Sequence, residues 1–361
     1  MFINRLKEKI HHEYWPWWLF YLPMVPVWLF WAIRNRSFTW FTATNTNMPA
    51  GGFFGESKHD ILLQIPEKYR PKHVLVQPGE TLFSVLQQLE NQGIGFPVVA
   101  KPNVGERGNG VAKIDSKEGL ALYFHKTVGP FIVQQCIDFP VELGVFFVKM
   151  PFEPFGRVTS ITMKEFLQVC GDGESSISEL LEADIRGSRQ LETIAERTAV
   201  PLGTIPSLGE KVLLEPIGNH CRGTKFLDTN YLINNHVHLV FNEIVASMPG
   251  FFFGRFDLKV NSIEDLNQDK NIAIMELNGA SSEPGHVYDP QISLFQAYRD
   301  LLWHWNQLGK IASQNRKRGV KPTPLVEVIK MVWEHFFGQP EMQTNQEMRS
   351  QSSELSLEMK I

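Results

Sequence analysis

Residues 255–279 hold the densest chemistry in the chain. Arg255-Phe256-Asp257-Leu258-Lys259-Val260 is followed, after a polar loop, by Ile272-Ala273-Ile274-Met275-Glu276-Leu277-Asn278-Gly279. Both runs have strand length, and the loop between them is rich in Asn, Asp and Gln, so together they predict a β-hairpin. Asp257, Glu276 and Asn278 stand two residues apart or cross-strand, which lets all three share one face of the sheet. Two carboxylates and an amide oxygen form a hard, all-oxygen set. Such a set suits Mg²⁺ that also holds substrate phosphates. A solvated hairpin carrying ordinary surface acids would show the same pattern, so the residues upstream decide between the two.

Upstream, Phe96–Pro102 reads as a strand that delivers Lys101 into a loop with three glycines, Asn103–Val111, after which Val111–Ile114 resumes as a strand. A strand–glycine loop–strand hairpin can lay backbone N–H groups over phosphates, with a lysine adding charge. It is not a GxxxxGK[ST] loop, and a strand rather than a helix follows it. Phe131–Ile137 is expected as a buried strand whose edge, Gln134-Gln135-Cys136-Ile137, offers backbone groups and apolar walls to a purine. Glu142 follows, placed for ribose hydroxyls. Leu143–Met150 and Arg157–Val169 alternate like an antiparallel pair, the second carrying Lys164. Glu182–Arg197 is expected to be helical. The loop Gly218–Phe226 presents His220, Arg222 and Lys225, which either meet an anionic ligand or form a solvated loop. Helices are expected near 81–92, 116–126, 230–247, 290–314 and 324–337.

The chain has 361 residues, 43% of them hydrophobic and 20% charged, enough for two or three subdomains with real cores. A net charge of −4 gives no sign of a general nucleic-acid binder. Cys136, Cys170 and Cys221 are scattered and form no CxxC, which argues against a disulfide framework or zinc site and for free, buried thiols in a reducing compartment.

The N-terminal stretch differs from all this. Residues 15–33 are nineteen in number, carry no charge and include five tryptophans, with basic residues on both sides (Arg5, Lys7, Lys9; Arg34, Arg36). The length is about that of a bilayer-crossing helix. Pro16, Pro23 and Pro26 each remove a backbone bond, and Trp favours the headgroup region, so a broken or in-plane anchor is expected, with a single span as the alternative. An arm packed on the protein itself is the third reading. Residues 37–54 read as an irregular loop whose glycines allow close approach to a ligand. Residues 339–361, rich in Gln, Ser and Glu, read as a disordered tail.

Taken in order, Lys101 with its glycine hairpin, the Gln134–Glu142 hinge, Lys164 ahead of Gly171-Asp172-Gly173, and the Arg255/Asp257/Glu276/Asn278 hairpin resemble an ATP-grasp enzyme over residues 70–310. The likeness is to the carboxylate–amine ligase branch. Residues 169–181 resemble the lid region of cyanophycin synthetase, and Gly254–Asp257 with Glu276–Asn278 resemble the metal strands of D-alanine–D-alanine ligase. The resemblance implies an α+β ATP-grasp fold, two α+β subdomains clamping ATP, behind an apolar anchor (1–36) and a reduced substrate region (37–95). It implies subdomains at 96–137 and 138–315 and a C-terminal helix at 316–338. It also implies roles. Lys101 and Lys164 grip phosphates, the backbone of Glu106, Arg107, Gly108, Asn109 and Gly110 covers them, Gln134 to Ile137 frame adenine, and Glu142 meets the ribose. Asp257 and Glu276 hold one Mg²⁺, with Glu276 and Asn278 on a second, Mn²⁺ being an alternative metal. Arg255, with Lys164 and Arg222, stabilises the transferring phosphoryl or acyl phosphate. The resemblance implies carboxylate and amine substrates and leaves their identity open; the apolar N-terminal segment adds lipid-linked molecules to the small-molecule candidates. A phosphotransferase or thiol ligase on the same fold, or a nucleotide-binding module at a membrane, are the alternatives. With the N-terminal segment, the expected place is the cytoplasmic face of a membrane.

Overall fold

The structure is a computed structural model that describes residues 11–105, 110–198 and 200–337, without side chains for 335–337. The first ten residues, Glu106, Arg107, Gly108 and Asn109 of the expected phosphate loop, and the expected tail 339–361 lie outside the described residues. The chain divides into two units, one of residues 72–136 and one of the segments up to 71 and from 137 to 333.

The smaller unit is a four-stranded antiparallel sheet with two helices. Its strands are β1 (His73–Val76), β2 (Val98–Pro102), β3 (Ala112–Ile114) and β4 (Phe131–Gln135), in the order β1-β4-β2-β3. The helix Leu82–Asn91 starts where Thr81 accepts from the Ser84 N–H at 3.2 Å, and Lys117–Lys126 starts on the equivalent Ser116 bond to Gly119. Val74, Val85, Leu89, Val98, Leu120 and Val133 form the core between sheet and helices. β1 belongs to the same sheet as Lys101, so residues 72–95 fold with β2 and not with the segment that precedes them.

The larger unit is built on a five-stranded antiparallel sheet, β11-β10-β5-β6-β9. Its strands are β5 (Val141–Val148), β6 (Arg157–Glu165), β9 (Lys225–Asp228), β10 (Phe253–Val260) and β11 (Ile272–Asn278); β7 (Gln168–Cys170) and β8 (Lys211–Leu213) make a separate ribbon. β5 is buried almost throughout, with Leu143, Val145, Phe146 and Phe147 wholly enclosed, because it lies centrally in the sheet. The long helix Leu294–Lys317 opens on a capping box of Ser293 and Gln296.

Two expectations fail here for physical reasons. The stretch 182–197 is not one helix but three pieces, Ile177–Ala183, Ile185–Ser188 and Leu191–Arg197. Asp184 is extended and caps the second piece through the Gly187 N–H at 2.6 Å, and a side chain at Gly187 would strike the Leu181 carbonyl. The three cysteines are free, but Cys170 and Cys221 are exposed, not buried.

The N-terminal stretch is neither a spanning helix nor a detached anchor. It forms two short helices, Trp17–Tyr21 and Val25–Asn35, joined by a 3₁₀ turn at Leu22–Met24 where Pro23 interrupts the backbone bonds. Among the described residues, no helix is long and apolar enough to cross a membrane. One side of the segment is core. Phe20 and Met24 pack with Val287, Ala297 and Leu301, while Trp31 and Ala32 pack with Trp40, Leu308 and Ile311. The Trp31 indole lies flat against Gly309, where any side chain would collide with its ring, and donates to Asn306 Oδ1 at 3.1 Å. His12 and His11 are tied to the carbonyls of Val287 and Ile292, and buried Glu13 pairs with Arg186 and His220.

Candidate active site

The β10–β11 register sets Asp257 directly opposite Glu276 and Arg255 directly opposite Asn278. All four side chains therefore share one face, as the two-residue period requires. A bulge follows at once, since Leu258 pairs with Ile274 and Met275 is the extra residue. The bulge twists the strand beside the acidic pair and ends the regular ladder there. The hairpin connection is more than a turn: Ser262 caps a short helix, Ile263–Asn267, and Asp269 and Asn271 take left-handed backbone conformations to bring the chain back.

Around Asp257 the side chains are tightly interlocked. Arg255 donates from Nε and Nη2 to its two oxygens at 2.9 and 3.1 Å, Asn278 donates from Nδ2 at 3.2 Å, and Lys164 Nζ lies 3.6 Å away. Lys164 also donates to Glu142 Oε1 at 2.8 Å. Lys58, from the helix Lys58–Gln64, stands 3.7 Å from Glu276. Three cations thus neutralise three carboxylates. Burial alone would push the Asp257 carboxyl up, but Arg255 and Lys164 outweigh it and hold it below the usual carboxylate range. Burial would likewise pull Lys164 down, yet Asp257 and Glu142 keep its ammonium above the ordinary lysine value. The cluster stays charged although Asp257 and Lys164 are nearly sealed; the side chain of Glu276, at 38% exposure, is its open edge.

This donor set fits a hard divalent cation. Glu276, Asp257 and Asn278 carry oxygen donors on one face, with cations interleaved that match phosphate oxygens. Among the described residues no group of three or more His, Cys, Asp or Glu side chains is placed to hold a metal ion by itself, so substrate oxygens would complete the coordination. The cations that would meet phosphate are at present held by the carboxylates that would meet metal.

The flanking loops pack closely. Gly218 sits against Glu142 and the Lys164 stem so tightly that a Cβ would overlap the Glu142 carboxylate. Gly51 and Gly52, whose loop reads either as a close approach to a ligand or as a plain linker, press their backbone on Gly279: Ala280 and Ser281 donate to their carbonyls at 3.0 and 3.2 Å. Buried Asn45 locks that contact by donating to Gly51 and Phe253 and accepting from Phe252 and Phe253. On the loop after β11, Arg255 Nη1 donates to the Glu283 carbonyl at 3.2 Å and Tyr288 donates to Glu283 Oε1 at 2.9 Å, while Oε2 of Glu283 is shut off without a partner. Burial pushes the Glu283 carboxyl up to about 7, the Tyr288 bond offsetting only part of it.

The remaining expected residues fall as follows. Arg222 closes on Glu215 beside Arg197, and Lys225 on Glu165, so the geometry gives neither to the Asp257 cluster. Glu142, expected at a ribose, holds Lys164. In the smaller unit, Lys101 is buried on β2 opposite Ile132, Gln134 is buried on β4, Gln135 is exposed and Cys136 half-buried; Gly110 accepts a bond from Tyr123. Ile137 accepts from Lys259 Nζ within the larger unit. Sequence reasoning missed Lys58, Glu283 and Tyr288. Only the Ser57 cap announces the Lys58 helix, and nothing in the spacing places Glu283 under Arg255.

No family model and no curated protein matches this chain. It is similar to solved structures of three ligases. These are the VanG D-Ala:D-Ser ligase of Enterococcus faecalis (14% identity, 69% of this chain, TM-score 0.40), a bifunctional glutathione synthetase of Pasteurella multocida (15%, 68%, 0.36) and the D-alanine–D-alanine ligase of Coxiella burnetii (8%, 76%, 0.42). The match spans 61%, 36% and 60% of those chains respectively.

Proposed function

We propose that this chain is an ATP- and Mg²⁺-dependent ligase that activates a carboxylate as an acyl phosphate and joins it to an amine. The observation that carries the reading is the neutral cluster on β10, β11, β5 and β6: Asp257 registered on Glu276, Arg255 on Asn278, and Lys164 bridging to Glu142. A bound Mg²⁺ would supply charge neutralisation for the phosphates, and Asp257, Glu276 and Asn278 would hold it. Lys164 and Arg255, released from their carboxylates, would turn to phosphate oxygens and stabilise charge spread over the transferring group. Lys101, Gly110 and Gln134 to Ile137 are assigned to the nucleotide on the strength of the motif order. The substrate carboxylate then attacks the γ-phosphorus and ADP leaves. The amine attacks the acyl carbon, the C–N bond forms and phosphate departs with the proton. We place this chemistry at the cytoplasmic face of a membrane, because an apolar stripe remains exposed on the N-terminal helices.

Calorimetry should show ATP binding that requires Mg²⁺, and phosphate release should appear when carboxylate and amine panels are added together with hydroxylamine as a trap for the acyl phosphate. Nucleotide binding indifferent to both Mg²⁺ and Glu276→Gln would refute the site.

A further inference from the structure

The long helix holds one side of the N-terminal segment, and the opposite side is left bare. Trp17, Trp18, Leu22, Phe30 and Ile33 are all more than half exposed, Ile33 at 78%. Their exposure is fixed, because Phe20, Met24 and Trp31 anchor the other side through the Gly309 contact and the Asn306 bond. A second exposed apolar face lies on the helix Leu325–Phe337, where Leu325, Val326 and Ile329 recur at helical spacing, Val326 at 78% exposure. The turn before that helix is bonded to the loop that follows the N-terminal helices. Thr323, two residues before that helix, donates from its N–H to Thr42 Oγ1 at 2.8 Å and accepts from Thr39 Oγ1 at 2.7 Å. Thr39 follows exposed Phe38, whose ring stacks on Trp28 of the N-terminal helix.

We infer that these two helix faces form one lipid-facing platform by which the protein lies on an anionic bilayer. Three observations favour lipid over another protein surface. The helices have 11 and 13 residues, about 20 Å or less at 1.5 Å per residue, so they suit the plane of a membrane and not its span. The bare face is tryptophan-rich, and indole rings favour the headgroup layer. Arg34 and Arg36 close the stripe, both exposed and, among the described residues, neither with an ion-pair partner, which complements anionic headgroups. The inference specifies the membrane part of the proposed function and gives it a surface that sequence reading did not include, the Val326 helix.

The test is co-sedimentation of the full chain with vesicles of phosphatidylcholine alone and of phosphatidylcholine mixed with phosphatidylglycerol. Wild type should bind the mixed vesicles. Trp18→Glu with Ile33→Glu, and separately Val326→Glu with Ile329→Glu, should each weaken binding at least about tenfold, the loss expected for removing a buried apolar side chain. Leu208→Glu, an equally exposed apolar site elsewhere, should bind as wild type. Arg34→Glu with Arg36→Glu should weaken binding to the mixed vesicles and remove its dependence on salt. Wild type that stays in the supernatant overturns the inference, as does binding unaffected by the Val326 pair. Self-association abolished by the same variants, without vesicle binding, overturns it in favour of a second copy of the chain. Magnesium–ATP binding is measured on every variant; its loss in wild type with vesicle binding intact sinks the ligase reading and leaves the platform standing.

Discussion

Two buried chains of polar side chains cross the larger unit, and they differ in one respect that matters. The first is the Glu142–Lys164–Asp257–Arg255 cluster. The second runs from Ser160 Oγ to His286 Nδ1 at 2.7 Å and from His286 Nε2 to Asp300 at 3.1 Å, the residue types and order of a nucleophilic triad. Asp300 is also held by Arg299, and although burial pushes its carboxyl up, His286 and Arg299 bring it down to about 2. Yet Ser160 is wholly buried and His286 nearly so, and no substrate carbonyl can reach that hydroxyl. A neutral imidazole satisfies both bonds and simply ties β6 to the long helix. The Asp257 cluster is as well bonded but has an open edge at Glu276 and Lys58. Access, more than constellation, separates a candidate for chemistry from a fastener.

Four experiments would break or sharpen that contrast. Replacing Lys164 with Met removes the ammonium that Glu142 holds and leaves Asp257 to Arg255 and Asn278, and should cost about 3–5 kcal/mol of stability, read from urea denaturation. Adding Glu142→Gln should recover part of it, and full additivity would show that the two are not coupled. Next, Glu276→Gln should weaken magnesium-dependent ATP binding by about 100-fold while leaving stability near wild type, as expected for loss of a metal ligand on the exposed edge. Calorimetry decides this, and Ser160→Ala is its control, with binding unchanged. Third, His286→Ala should lower stability by about 1–3 kcal/mol by orphaning the Ser160 hydroxyl, with no effect on nucleotide binding. An equal loss of binding would erase the distinction between the two chains.

The fourth experiment concerns pH. The Glu283 carboxyl sits near 7 in the folded protein against 4.5 in the unfolded chain. Below about 4.5 both states hold the proton and the group is neutral for stability. Between those values the unfolded chain releases its proton first, so stability falls as pH rises, and above about 7 the deficit is constant. Thermal unfolding of Glu283→Gln should therefore match wild type at pH 4.5 and exceed it at pH 8. A variant less stable than wild type at pH 8 would mean that the carboxylate is charged and paired in the fold.

Much of this frame was legible beforehand, because it rests on local pattern. The strand around Lys101, the helices near 81–92 and 116–126, and the β10–β11 hairpin all follow from local pattern. The N-terminal segment was legible only in composition. Nineteen uncharged residues do not say which side another helix covers, and here the answer depends on Gly309, far along the chain, admitting the Trp31 ring. The Gly51–Gly52 pair is a similar case, since a glycine reports close approach without saying to what.

By itself the sequence determined that Asp257, Glu276, Asn278 and Arg255 share one face, because strand side chains alternate with a period of two whatever surrounds them. Only the tertiary structure decided what stands opposite that face. Lys164, Glu142 and Lys58 arrive from elements dozens to hundreds of residues away, and whether a polar cluster is open like Glu276 or sealed like Ser160 is a property of packing that no local spacing encodes.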